Sequence, residues 1–221
     1  MLYKDRVDAG RRLAELLSEY RVREPIVLGL PRGGVVVAQE VADALHAPLD
    51  VLIVRKLGAP SRPEFAFGAI ASGGYQLVNR LIVRHLGLSE EQVEDVIQRE
   101  TAELDRRLEI YRGERPQPDL CAKTVIIVDD GLATGSTAKV AVHAARSEQP
   151  EWVVLAVPVA PPDAVEQLEA EVNDLVCPSV PPNFRALSQW YQQFDQVTDE
   201  EVVELLRGSL SRRNTDADEG Q

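Results

Sequence analysis

The sequence predicts a doubly wound α/β fold with a mostly parallel sheet in three layers, helix over sheet over helix, and three observations carry the prediction. Short apolar runs recur at about residues 26–30, 51–54, 125–128, 152–157 and 174–177. They are largely unbroken rather than alternating, as strands covered on both faces require. Helical patterns stand between most of them, and strands that alternate with helices build a parallel sheet. Two of the runs end in small-residue turns that open onto a helix, and such turns lie at the strand ends where open α/β sheets bind their ligands.

The elements follow in chain order. Asp5 precedes an amphipathic first helix in which Leu13, Leu16, Leu17 and Tyr20 recur at helical spacing, so that it covers one face of the sheet. The run from Ile26 ends in Pro31-Arg32-Gly33-Gly34, and a helix follows from about Val35 to Leu45. Asp50 to Gly58 reads as a strand ending in two cations, Arg55 and Lys56. Residues 58–74, rich in Gly, Pro and Ser, read as a mobile loop. Ser89-Glu-Glu-Gln92 is a capping box opening a charged helix to about Arg112, with Val93, Ile97, Leu104, Leu108 and Tyr111 as its apolar stripe; scaffold or homodimer face is its expected use. Residues 177–197 gather prolines and aromatics, Phe184, Trp190 and Tyr191 among them. Thr198-Asp-Glu-Glu201 is a second capping box, opening a last helix to about Leu210. Residues 1–210 therefore read as a single domain, and the polar tail 211–221 as disordered.

Net charge of -12 and a pI near 4.8 argue against nucleic acid as a partner, since that binding rests on Lys and Arg neutralising phosphates. Any cations that matter must act locally. No signal-peptide pattern and no apolar stretch of membrane-spanning length is present, so a cytoplasmic protein without a membrane partner is expected. Cys121 and Cys177 lie far apart and form no cluster with His46, His85 or His143, which indicates neither a zinc site nor a disulfide framework.

The most informative stretch is Val125-Ile-Ile-Val-Asp-Asp-Gly-Leu-Ala-Thr-Gly-Ser-Thr137, an apolar strand running into two carboxylates and a small-residue turn. A helix start after such a turn offers unpaired N–H groups and a positive dipole end to an anion. Thr134, Ser136 and Thr137 can add hydroxyl donors. The adjacent Asp129 and Asp130 suit either the paired hydroxyls of a sugar or a divalent metal. A Walker A loop is excluded because no lysine lies within Gly131–Thr137. In the earlier turn, Arg32 suits a bidentate phosphate contact, and Gly33 and Gly34 let backbone amides approach it.

These thirteen residues resemble the phosphoribosyl pyrophosphate (PRPP) signature of type I phosphoribosyltransferases. The resemblance implies that Asp129 and Asp130 hold the ribose hydroxyls and that Ala133, Thr134, Gly135, Ser136 and Thr137 wrap the 5-phosphate. It implies that Arg32, Gly33 and Gly34, with Arg55 and Lys56, face pyrophosphate, and that the strands leading to Arg32 and Asp129 are neighbours. Residues 58–74 would then close over PRPP, and 177–197 would form a small hood over a flat base. The implied activity is transfer of the phosphoribosyl group of PRPP to a small nitrogenous base, with magnesium (Mg2+) carried mainly by PRPP rather than by a protein cage. The 6-oxopurine enzymes of the family carry an aspartate where this sequence has Ala133, whereas the Pro-Arg-Gly-Gly turn resembles bacterial xanthine/guanine enzymes, so the acceptor stays open. A non-catalytic PRPP-sensing regulator on the same fold is the alternative.

Overall fold

The computed structural model describes residues 1–218. In order, the chain forms α1 (Arg6–Leu16), β1 (Ile26–Gly29), α2 (Gly33–Leu45), β2 (Leu49–Val51), β3 (Val54–Ala59), β4 (Arg62–Ala71) and β5 (Tyr75–Val78). It continues through α3 (Arg80–His85), α4 (Glu90–Arg112), β6 (Thr124–Val128) and α5 (Ser136–Ser147). The last elements are β7 (Trp152–Ala156), α6 (Pro162–Glu169), β8 (Asp174–Val176) and α7 (Asp199–Asp218). Five strands make a parallel sheet in the order β2-β1-β6-β7-β8.

The unbroken apolar runs are explained by burial on both faces. Along β6, Ile126 and Val128 join a core with α1, α2, α4 and α7, while Val125 and Ile127 join a second core with α5 and α6. Val153 and Leu155 of β7 alternate with Val154 and Ala156 in the same way. The connections from β1 wind toward β2 and those from β6 wind toward β8, so the winding reverses between β1 and β6. A crevice at the carboxyl ends of those two strands is the outcome.

Both capping boxes form. Gln92 N–H donates to Ser89 Oγ at 3.2 Å and Ser89 N–H to Gln92 Oε1 at 3.0 Å. Glu201 N–H donates to Thr198 Oγ1 at 3.2 Å and Thr198 N–H to Glu201 Oε2 at 2.6 Å. Val93, Leu104 and Tyr111 are buried, with Ile97 and Leu108 packed alongside. In α1 the spacing holds for Leu13, Leu17 and Tyr20, but Leu16 is half exposed and the helix gives way to a 3-10 turn at Ser18–Arg23.

Two expectations are corrected. Asp50–Gly58 is not one strand: Leu52 N–H still bonds to Gly29 O at 3.1 Å, but Ile53 exchanges hydrogen bonds with Ser72, and the chain passes into a second sheet. Nor are residues 58–74 mostly loop. They belong to an antiparallel sheet β3-β4-β5 in which Val54–Ala59 pairs with Arg62–Ala71. Phe67, Ala69, Ile70 and Ala71 are buried, and this apolar inner half holds the strand, while the Gly, Pro and Ser residues lie at a register shift and turns. The last helix, expected to end near Leu210, runs to Asp218, and of the tail expected to be disordered residues 219–221 lie outside the described residues.

Candidate active site

At the crevice between β1 and β6 the two loops meet. A cavity of about 270 Å³ is lined by Lys56, Asp129, Asp130, every residue from Gly131 to Ala138, and Leu187. Gly135 adopts φ 71°, a left-handed turn that suits glycine, and α5 begins at once. The N-cap residue Gly135 has no side chain to cap α5; Ser136 N–H makes a long contact to Thr134 Oγ1 at 3.4 Å, and the next N–H groups of the first turn, those of Thr137 and Ala138, are left to whatever enters the cavity. Thr134 Oγ1 and Ser136 Oγ stand 3.1 Å apart at the same edge.

The start of α2 abuts the acid pair. A Cβ at position 34 would lie 2.8 Å from Asp129 Cα, and one at position 33 would collide with the Asp130 carboxylate. Glycine is thus required at position 34 by the approach of the β6 backbone and at position 33 by the Arg6–Asp130 side-chain pair. The Pro31–Arg32 peptide is cis.

The carboxylates differ in partners. Asp129 Oδ1 accepts from Asp130 N–H at 2.9 Å, and Asp130 Oδ2 accepts from Arg6 Nε at 2.7 Å. Among the described residues no protein donor reaches Asp129 Oδ2 or Asp130 Oδ1, which leaves one acceptor on each for a ligand. Burial, and then the charge of Asp130, push the Asp129 carboxyl well above the usual carboxylate range. Asp130 is raised by burial too, with Arg6 opposing. Tyr191 Oη donates to Asp130 O at 2.6 Å, fixing the backbone between the two acids and the turn.

The three cations singled out in the sequence part company. Lys56 lies on the cavity and has no acidic partner among the described residues. Arg55, next in the strand, faces away and donates from Nε to Glu100 at 3.0 Å on α4. Arg32 leads into α2 but its Nη1 lies 3.9 Å from Asp199 at the start of α7. Arg6, 124 positions before Asp130, was missed because nothing local in Met1-Leu-Tyr-Lys-Asp-Arg6 marks a site. Residues 177–197 contain one 3-10 turn, Leu187–Trp190; Phe184 stacks on Trp190 with centroids 6.4 Å apart, and Leu187 reaches the cavity.

Comparison with known proteins places this geometry. A family model described as "phosphoribosyl transferase domain" matches residues 2–194. Proteins from two strains of Mycobacterium tuberculosis, provisionally named as phosphoribosyl transferases, are 46% identical over 205 residues, or 93% of this chain. The chain spans 46% of their length, about half. The crystal structure of TT1426 from Thermus thermophilus superposes with a TM-score of 0.82 at 44% identity, covering 93% of this chain and 98% of that one.

Proposed function

The chain belongs to the phosphoribosyl transferase family, and from that premise we propose that it transfers the 5-phosphoribosyl group of PRPP to a small nitrogenous base and releases pyrophosphate. The observation that carries the reading is the single cavity shared by Lys56, the acid pair and the turn into α5. In this reading the N–H groups and hydroxyls of residues 133–137 take the 5-phosphate, and the free oxygens of Asp129 and Asp130 take the two sugar hydroxyls. Lys56 and the start of α2 face pyrophosphate, with Arg32 turning from Asp199 to join them. Cleavage breaks the bond from C1 of the ribose to the pyrophosphate oxygen, which leaves with the bonding electron pair, while a nitrogen of the base bonds to C1 and gives up its proton to the departing pyrophosphate or to solvent. The protein's share is positioning and stabilisation of charge.

Magnesium, in this reading, enters as an ion carried mainly by PRPP, since it keeps several waters and binds through one or two carboxylates plus substrate phosphates. When bound it neutralises phosphate charge, with Asp129 and Asp130 the carboxylates nearest to hand. By the resemblance, the absence of a carboxylate at Ala133 weighs against hypoxanthine and guanine as acceptors while the Pro31-Arg32-Gly33-Gly34 turn weighs toward xanthine and guanine, so the acceptor stays open.

A regulatory reading draws on one observation: Asp130 and Arg32 both have protein partners, Arg6 and Asp199. Calorimetric titration with PRPP and Mg2+, followed by pyrophosphate release across a panel of bases, separates the two. Binding with release by one base supports the transferase and names its acceptor. Binding without release moves the reading to a sensor, and no binding removes both.

A further inference from the structure

We infer that Arg6 is a positioning residue for the acid pair, fixing the Asp130 carboxylate by Oδ2 so that Oδ1 is presented to a sugar hydroxyl. The inference rests on the reading of Asp129 and Asp130 as the PRPP sugar site.

The geometry around Arg6 is that of a residue held from every side. Its Nε donates to Asp130 Oδ2 at 2.7 Å and its Nη1 to Asp195 O at 2.8 Å, and the guanidinium lies 3.9 Å from the centroid of the Phe194 ring. The Arg6 and Asp130 side chains are 12% and 13% exposed. The first residues and the segment around 190–195 are laced together about them: Tyr3 N–H donates to Trp190 O at 2.8 Å, and Gln192 N–H to Tyr3 O at 2.9 Å. Tyr191, 5.5 Å from the Tyr3 ring, bonds to the Asp130 carbonyl. Two distant parts of the chain therefore converge on one carboxylate of the β6–α5 turn.

A pair made for stability alone would not look like this. A buried ion pair recovers its desolvation cost only when the remaining lone pairs are also satisfied, and apolar replacements are often as stable. Here Asp130 lines the cavity, and among the described residues no other residue donates a hydrogen bond to its Oδ1. The half-satisfied carboxylate suits a ligand hydroxyl as its missing partner. The groups that face Asp130 are Arg6 from α1, Asp129 beside it, Tyr191 with Tyr3 behind it, and Lys56 across the cavity; α2 contributes only the backbone of Gly33. Arg6 is thus the cation in direct contact.

The test is PRPP–Mg2+ calorimetry between pH 5 and 8 on the wild type, Arg6→Gln and Arg6→Lys. Arg6→Gln should weaken binding about 10- to 100-fold, the range of a lost charged hydrogen bond. It should also move upward the pH below which binding is lost, because the carboxylate then takes up a proton more readily. Arg6→Lys keeps the charge and should hold the wild-type midpoint while binding several-fold more weakly. Should Arg6→Gln not fold, Arg6→Lys decides alone, and wild-type affinity in it would overturn the inference. Equal affinity and an equal midpoint in Arg6→Gln overturn it while leaving the sugar site standing; a wild type that binds no PRPP removes the sugar site and the inference together.

Discussion

The two ends of the parallel sheet each carry a cavity, and the larger is at the wrong end for phosphate. At the amino ends of the strands a cavity of about 470 Å³ is lined by Arg21, Glu24, Ile26, Leu45, His46 and Lys123 among others. The one at the carboxyl ends measures about 270 Å³. Helix α2 runs between the two regions, starting at Gly33 beside the acid pair and ending with His46 in the larger cavity. Its start offers N–H groups and positive partial charge, and its end offers carbonyls and negative partial charge. The cations at the amino end therefore face a helix terminus that repels anions, whereas Lys56 shares its cavity with the start of α5. Polarity of the lining, not volume, distinguishes a phosphate site.

The sharpest way to break this comparison is through the acids. Asp130→Asn should weaken PRPP binding by about 100-fold in calorimetry, since it removes a charged acceptor and leaves Arg6 without its counter-ion. Asp129→Asn should weaken binding comparably and yet raise Tm at neutral pH. The sign follows from the raised carboxyl: the folded protein holds that proton more tightly than the unfolded chain, so stability falls as pH rises through the interval between the two proton affinities. Replacing the charge with an amide removes that loss. A Tm that drops for Asp129→Asn would show that the buried charge serves the fold. Next in size, Gly34→Ala forces a Cβ to 2.8 Å from Asp129 Cα, and backbone cannot step aside. It should cost about 2 kcal/mol, a Tm decrease of roughly 4–8 °C in thermal melting.

These predictions rest on features that the sequence exposes to very different degrees. Strands β1, β6 and β7, both capping boxes and the turn after Asp130 are local patterns, and each formed where its own residues placed it. The second sheet was hidden because its strands are punctuated by Gly58, Pro60, Ser61 and Pro63, and because Leu52 and Ile53 carry one apolar run across two sheets. Likewise Arg55 and Lys56 are told apart in sequence only by the family resemblance, which favours Lys56, whereas in the structure strand alternation sends Arg55 to Glu100 and Lys56 to the cavity. Arg6 was beyond reach for another reason. Its role depends on the convergence of residues 3–6 with 190–195, which is a property of tertiary packing and leaves no periodic trace.

Smaller effects separate the cations at the carboxyl end from each other and from those at the amino end. Lys56→Ala should weaken PRPP binding by about 10-fold, the worth of one charged contact partly open to solvent, and Arg55→Ala by less because Arg55 is engaged by Glu100. The smallest effect expected is also the most discriminating. Arg21→Ala combined with Lys123→Ala strips two cations from the larger cavity, and PRPP affinity should stay within about 2-fold of wild type, since these charges lie at the opposite ends of the strands and salt screens charges beyond about 8 Å. A loss matching that of Lys56→Ala, measured in the same titration, would mean that net positive charge alone draws the ligand and that the orientation of α2 and α5 counts for little.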